Sequence, residues 1–250
     1  MDEEYDEEES KRLYTPFKEL CGSILWAARQ TQCVCAQPVS MLCKMMAKPT
    51  QRAFDLGLQV VKYMYQHRDR GVKYTKGGNM EPVCYYDASN KADVGDGKCQ
   101  HGGAVYLAGG PVLWSSKKQR HVGTSASHNE YMALTHAAQQ VVWMRQVLGE
   151  MGLGDMVSKP TPMMGDNRQA NILSREDLVT PGNKYYILDY HFVKERIARG
   201  EITTLKVSGE MNLADPLTKS VSLQTMKRLR PAMTGYGANG LPEVPTEPRA

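Results

Sequence analysis

The chain has 250 residues, 41% of them hydrophobic and 23% charged, which is an ordinary composition for a water-soluble globular protein. No apolar run approaches the length of a membrane-spanning helix, so we expect no membrane partner. Residues 1–10 contain seven acids and no base, which leaves 31 basic against 20 acidic residues, a net charge of +11, in the rest of the chain. That excess suits a polyanionic partner, although a solvated basic surface would look the same.

Cysteine spacing gives no sign of a zinc site or of a disulfide framework. The six cysteines form no Cys-x-x-Cys pair, and no signal peptide precedes them. We therefore expect reduced, buried thiols in an intracellular protein.

The N-terminal part divides into an acidic head and a helical segment. Residues 1–12 have too little apolar surface to fold, so we expect them to be disordered. Residues 13–80 show helical periodicity, and the clearest helix follows Thr50, a good N-cap. No cluster of catalytic residue types lies here, which predicts a helical packing unit.

A new pattern begins at Pro82. Residues 82–88 are apolar and aromatic and include Asp87, as in a buried strand that ends on an acid. A desolvated carboxylate is unfavourable unless a cation or hydrogen bonds compensate it. A loop over 89–103 precedes a predicted hairpin, whose strands at 104–108 and 112–116 flank the Gly109-Gly110 turn.

The following stretch predicts a long helix and then a strand. Ser127 is a plausible N-cap, and Glu130 stands three residues later, the spacing of a capping box. On this evidence a structural capping role for Glu130 is favoured over catalysis. The strand Thr161–Gly165 then delivers Asp166 and Asn167 at its end.

The remaining elements are shorter. They are a short helix at 170–173, a helix at 190–199, a strand at 202–207, and a short helix opening at 213–217. Asp215 lies in the last of these, and residues 221–250 are expected to form a flexible tail.

Acids thus fall on four separate elements, and their joint placement is more specific than any one of them. Asp87, Glu130, Asp166 and Asp215 converge only if the sheet brings their elements together. Taken singly, each has a plain explanation as a strand end, a cap, a turn or a surface helix.

Several motifs, in order, resemble the ribonuclease H domain of copia-type retrotransposon polyproteins. The resemblance runs from about Val83 to Lys219. Upstream, Tyr14-Thr15-Pro16-Phe17, Gly22-Ser23-Ile24-Leu25 and the helix with Lys62-Tyr63 are similar to the segment that joins polymerase to ribonuclease. The motifs are Tyr85-Tyr86-Asp87-Ala88, Trp114-Ser115-Ser116-Lys117-Lys118-Gln119, Glu130-Tyr131-Met132-Ala133-Leu134, Gly165-Asp166-Asn167, Tyr190-His191-Phe192 and Leu213-Ala214-Asp215-Pro216-Leu217-Thr218-Lys219.

The resemblance implies a fold and an activity. The fold would be a mixed five-stranded α/β sheet flanked by helices, over residues 81–220, and the activity would be cleavage of the RNA strand of an RNA/DNA hybrid. The metal ligands and catalytic residues would be Asp87, Glu130, Asp166 and Asp215, which suit Mg²⁺ and also Mn²⁺. Nucleic acid would be bound by Lys117, Lys118, Arg120 and Asn167.

The chain also departs from the family pattern. Ser89 stands where the family usually has an acid, and the loop at 208–210 lacks the histidine of many ribonucleases H. We interpret His191 as a packed helix residue and not as a substitute. These changes bear on efficiency more than on chemistry, since all four acids are present.

Three functions remain open on sequence grounds. The first is a ribonuclease H corresponding to the C-terminal part of a polyprotein, with the polymerase part of a reverse transcriptase as a partner, in cytoplasm, nucleus or virus-like particle. It has no polymerase site of its own, because the Tyr85–Ala88 stretch has one aspartate and a polymerase turn needs two. The others are a decayed or co-opted nucleic-acid-binding remnant and a nuclease of the same fold that cuts DNA.

Overall fold

The computed structural model describes residues 6–90, 93, 95–167 and 187–237. The chain forms a helical unit of residues 1–72 and a sheet domain of residues 73–250. The boundary lies earlier than the expected one at 80/81, because the amides of Lys73 and Thr75 donate to the carbonyls of Thr234 and Ala108. Within the described ranges, no helix has the length and apolarity needed to cross a membrane.

Three helices make up the helical unit: α1 (Glu7–Gln30), α2 (Ala36–Cys43) and α3 (Gln51–Gln66). Helix α1 buries one side, with Leu13, Phe17, Cys21, Ile24 and Ala28 following helical spacing. The predicted N-cap of α3 is confirmed, since the Thr50 hydroxyl accepts from the amide of Ala53.

The expectation of a disordered head is wrong for residues 7–12, which open α1. The Asp6 carboxylate caps this helix by accepting from the amides of Glu8 and Glu9. Glu9 in turn accepts from the amide of Gln51 at the start of α3, at 3.1 Å. Acids are favourable at helix N-termini, where backbone N–H groups lack partners, and this is why an acidic stretch can be helical.

The sheet domain contains the predicted mixed five-stranded sheet. Its spatial order is β3-β2-β1-β4-β5. Strand β2 runs antiparallel to β1 and β3, whereas β1, β4 and β5 are parallel. The strands are β1 (Val83–Ala88), β2 (Gln100–Leu107), β3 (Gly110–Lys118), β4 (Thr161–Gly165) and β5 (Ile202–Lys206).

The hairpin is confirmed, with its turn one residue earlier than predicted. Ala108 and Gly109, at φ 52° and 80°, are the two turn residues, as in a hairpin turn that needs positive φ at both positions. Strand β2 starts at Gln100, four residues before the apolar run, because its polar beginning pairs with the end of β1.

Four helices complete the described part of the domain: α4 (Ala126–Glu150), α5 (Ile187–Ala198), α6 (Asp215–Thr218) and α7 (Leu223–Thr234). Short 3₁₀ turns lie at Cys33–Cys35, Gly154–Val157 and Gly209–Met211. The core joins the sheet to α4 and α5, with Tyr86, Tyr131, Leu134, Met163 and Val193 fully buried. The helix predicted at 170–173 lies outside the described residues.

The expectation of a flexible tail over 221–250 is wrong for residues 223–234. Ser222 caps α7 through the amide of Thr225, and Leu229 and Met233 are buried. The helix therefore belongs to the folded domain.

Candidate active site

Three of the four predicted acids lie together at one end of the sheet. Asp87 comes from the end of β1, Asp166 directly follows β4, and Asp215 opens α6. One carboxylate oxygen from each lies within 4.8 Å of the others. Asp87 is 1% exposed, and Asp166 and Asp215 are partly buried. Because β1 and β4 are parallel neighbours, their carboxyl ends necessarily meet at this edge.

A glycine in β2 lets α6 approach the sheet. Gly102 is paired with Asp87, and a Cβ atom on it would lie 2.6 Å from the Cβ of Leu217. Helix α6 therefore packs directly over this glycine, which brings Asp215 beside Asp87. Thr218, in the same helix, donates a short hydrogen bond from its hydroxyl to Oδ2 of Asp87.

Asn212 fixes the loop that leads into α6. It is fully buried, and its Nδ2 donates to the carbonyl of Tyr86 at 3.0 Å, while its Oδ1 accepts from the amide of Ala214 at 3.1 Å. The two bonds tie the start of α6 to the strand that carries Asp87. Sequence reasoning missed Asn212 and Thr218, since the β1 residues to which they donate, Tyr86 and Asp87, are more than 120 residues away.

Glu130 lies beside this cluster and is not one of the three acids within 4.8 Å. It is 4% exposed, and the backbone of Ala88 lowers its pKa against the larger effect of burial. Its Oε2 has no hydrogen-bond partner among the described residues. A buried carboxylate oxygen without a partner is unfavourable and is typical of a site that receives a cation.

The expected capping role of Glu130 is contradicted by the structure. The N-cap of α4 is Ser125, whose hydroxyl accepts from the amide of His128. Ser125 has extended backbone, at φ −161° and ψ 163°, whereas Ser127 lies inside the helix. Glu130 is therefore in the second turn, beyond the reach of a capping box.

Burial and mutual repulsion favour the protonated forms of these acids. Burial, with Asp215 and Asp166 nearby, raises the pKa of Asp87 to about 7. Burial, with the charges of Asp87 and Asp166, raises the pKa of Glu130 to about 9. The pKa of Asp215 is also raised, chiefly by burial. Carboxyl pKa values raised in this way indicate a site with too little positive charge nearby.

One basic side chain offsets part of this deficit. The Nζ atom of Lys219 lies 2.9 Å from Oδ1 of Asp215 and 4.0 Å from Oδ2 of Asp87. The donor set itself fits a divalent metal, because carboxylate oxygens are the ligands that hard cations prefer. Asp87, Asp166 and Asp215 can hold such an ion, and Glu130 is the nearest further donor.

The predicted nucleic-acid-binding residues are not equivalent. Lys117 and Arg120 are exposed, whereas Lys118 forms ion pairs with Asp93 at 3.0 Å and Asp96 at 2.8 Å. Asn167 directly follows Asp166 and is partly buried. The structure thus leaves Lys117 and Arg120 as the accessible charges at the end of β3.

The structure shows the surroundings of Ser89, which departs from the family pattern, and of His191. Ser89 is buried, and its amide donates to the carbonyl of Gln100 at 2.7 Å. His191 is exposed on α5 with its ring edge-on to Tyr190, so our interpretation of it as a packed residue is wrong. It faces solvent because the buried side of α5 carries Tyr190 and Val193.

The topology and the acids together define the class of the domain. A sheet of order 3-2-1-4-5, in which β2 alone runs opposite to the other four strands, with acids at the ends of β1 and β4, is a ribonuclease H-like domain. A helical unit precedes it.

Curated relatives place the chain more narrowly. It is 30% identical over 208 residues to the retrovirus-related Pol polyprotein from transposon RE2 of Arabidopsis thaliana, a match that covers 83% of this chain. It is 27% identical over 217 residues to the Pol polyprotein from transposon TNT 1-94 of Nicotiana tabacum. Over most of its length the chain is thus homologous to retrovirus-related Pol polyproteins of copia-type transposons. It spans 14% and 16% of the length of these two polyproteins.

The chain is also similar to a smaller protein and to solved structures. The secreted RxLR effector protein 161 of Plasmopara viticola is 32% identical over 129 residues, which is 52% of this chain and 91% of that protein. The N-terminal ribonuclease H domain of rv2228c from Mycobacterium tuberculosis is 15% identical, at a TM-score of 0.40, over 60% of this chain and 95% of that one. LC11-RNase H1 in complex with an RNA/DNA hybrid is 18% identical, at a TM-score of 0.40, over 55% and 93%. No protein-family model matches the chain.

Proposed function

We propose that this protein is a metal-dependent endonuclease that cuts the RNA strand of RNA/DNA hybrids. The observation that carries the proposal is the meeting of Asp87, Asp166 and Asp215 within 4.8 Å at the carboxyl ends of β1 and β4. Three buried or partly buried carboxylates on separate elements need a cation to balance their negative charge. A ribonuclease H-like fold is suited to metal-dependent cleavage of RNA.

All four acids are proposed to be metal ligands, and two neighbouring polar residues are proposed to position them. Asp87, Asp166 and Asp215 hold Mg²⁺, or Mn²⁺ in its place, and Glu130 is a fourth ligand through its unpartnered Oε2. When bound, divalent ions activate water and stabilise the leaving 3′-oxygen of a phosphodiester, which gives a 5′-phosphate and a 3′-hydroxyl. Thr218 orients Asp87, and Asn212 holds α6 against β1.

Substrate binding is proposed to rest on backbone contacts. Lys117 and Arg120 are exposed at the end of β3 and suit phosphates, and Asn167 adjoins Asp166. A ribonuclease of this class recognises minor-groove 2′-hydroxyls on one strand and tolerates any base sequence. By analogy with the polyproteins that it resembles, the chain would act beside the polymerase part of a reverse transcriptase.

Cleavage of a labelled RNA/DNA hybrid by the purified protein with Mg²⁺ tests the proposal. We expect RNA-strand cuts in the parent and none in Asp87→Asn, with EDTA abolishing the activity. Asp96→Asn, which alters an exposed acid of the same domain, is the matched control and should cut like the parent. Binding without cutting by the parent would contradict the proposal and favour a non-catalytic remnant, and cutting of DNA alone would favour a different nuclease of this fold.

A further inference from the structure

Lys219 has an unusual position for a basic side chain next to a metal site. Its ammonium lies 2.9 Å from Asp215 and 4.0 Å from Asp87, which are two of the three clustered acids. Both carboxylates are shielded from water, with side-chain exposures of 13% and 2%. The ammonium therefore supplies positive charge to two carboxylates whose negative charge a metal ion would otherwise have to balance.

The ammonium also acts on an acid that it does not touch. Its charge lowers the pKa of Glu130, against the larger effect of burial. One positive charge thus contacts two of the acids directly and also acts on a third through its charge. Without it, the cluster would hold several carboxylates with no nearby basic partner among the residues that the structure describes.

A divalent ion cannot share these oxygens with an ammonium group without strong repulsion. Like charges at this separation repel strongly, and the repulsion is larger near a protein surface than in bulk water because the effective dielectric is lower. Lys219 is able to leave, because its side chain is 45% exposed and its four-carbon stem is flexible. Its backbone stays fixed, since the amide of Lys219 donates to the carbonyl of Asp215.

We propose that Lys219 is a tethered counter-ion that stabilises the metal-free site and competes with the divalent metal for Asp87 and Asp215. It acts as a positioning residue, and it raises the metal concentration at which the site fills. The inference rests on the proposed function, since it assumes that the acid cluster binds metal.

Manganese binding to the purified protein, measured by isothermal titration calorimetry, tests this role directly. Lys219→Met keeps the bulk of the stem and removes the charge, so we expect roughly tenfold tighter Mn²⁺ binding. The same variant should unfold at a lower temperature in EDTA and gain more from Mn²⁺ than the parent does. Lys219→Arg keeps a charge and should stay close to the parent, and Lys227→Met, on the exposed side of α7, is the matched control.

The outcomes separate the two proposals. Unchanged or weaker Mn²⁺ binding in Lys219→Met would overturn the counter-ion role while leaving the metal site intact, provided that the parent binds and Asp87→Asn does not. Absence of binding in the parent would overturn both. Thermal unfolding of each variant in EDTA shows that a change in affinity is not a loss of fold.

Discussion

The sheet domain contains two groups of acids that each pair with a lysine but differ in burial and in the direction of their pKa shifts. Asp93 and Asp96, in the loop between β1 and β2, share Lys118 at 3.0 Å and 2.8 Å and remain partly exposed. The pKa of Asp96 is lowered, mainly by its hydrogen bond from Lys118. The cluster at the ends of β1 and β4 is more buried, and the pKa of Asp87 is raised to about 7.

The difference shows what distinguishes a structural ion pair from a candidate metal site. In the loop, one lysine and the amides of Gly95 and Lys98 satisfy two carboxylates, so nothing further is required. In the cluster of four acids, one half-exposed lysine contacts only Asp215 and Asp87, and an unpartnered oxygen remains on Glu130. Only the second arrangement leaves a demand for more positive charge.

The largest expected effect is on catalysis. Asp166→Asn should lower the rate of RNA-strand cleavage by more than roughly 100-fold, since it removes a proposed metal ligand. Asp93→Asn, which changes the same residue type in the loop, should stay within about threefold of the parent. Single-turnover cleavage of a labelled hybrid measures both rates. Equal losses in the two variants would contradict the distinction between the two acid groups.

Stability should depend on pH in the direction set by the cluster. Folding raises the pKa of Asp87 to about 7 and of Glu130 to about 9, against about 4 in the unfolded chain. A raised carboxyl pKa contributes stability that is fully present below pH ~4 and is lost as the pH rises through the folded values. In EDTA, the free energy of unfolding should therefore fall between pH 5 and pH 9.

Glu130→Gln isolates the upper part of that profile. The variant removes the acid with the higher pKa, so at pH 9 it should be more stable than the parent by about 2 kcal/mol, with little difference at pH 5. Urea unfolding at the two pH values measures this. A parent profile that is flat in EDTA would mean that the cluster is not short of positive charge.

A smaller loss of activity is expected from Thr218. Its hydroxyl donates to Asp87, and groups that orient a metal ligand are typically worth 10- to 100-fold in activity or affinity. We expect Thr218→Val to lose cleavage by about that factor, and Thr218→Ser, which keeps the hydroxyl, to retain most of it. If the serine variant is as impaired as the valine variant, packing and not the hydrogen bond explains the effect.

The smallest effect should come from Lys118. Its ion pairs are partly exposed, so Lys118→Ala should lower the free energy of unfolding by less than about 1 kcal/mol.

Lys117→Ala and Arg120→Ala should weaken hybrid binding more than Lys118→Ala does, and each should reduce the salt dependence of binding. Fluorescence anisotropy at two salt concentrations distinguishes the three. A dominant loss in Lys118→Ala would show that its ion pairs break on binding.

The parts of the fold that sequence predicts well are those set by local pattern. Strand β4 has the predicted bounds, and Asp166 follows it as expected, because a five-residue apolar run bounded by Pro160 and a polar pair has the length of a strand and is too short for a helix. A local signal also predicts the end of the helix before Gly200, because glycine commonly ends helices. In the structure this glycine adopts φ 68°, the left-handed conformation that such helix ends require.

Other features depend on contacts that no local pattern contains. Asn212 and Thr218 look like ordinary polar residues until the fold brings them to β1. The start of β2 lacks an apolar pattern and is extended only because it pairs with β1. Helix α7 did have a signal, namely a serine cap before Leu and Met residues at helical spacing, but its basic residues and Pro231 obscured it.

Anomalous diffraction from crystals grown with Mn²⁺ would locate the metal directly. We expect manganese peaks bounded by Asp87, Asp166 and Asp215, with the Lys219 ammonium moved away from Asp215. Manganese confined to the loop of Asp93 and Asp96, or none at the cluster under conditions that support binding in solution, would contradict this expectation.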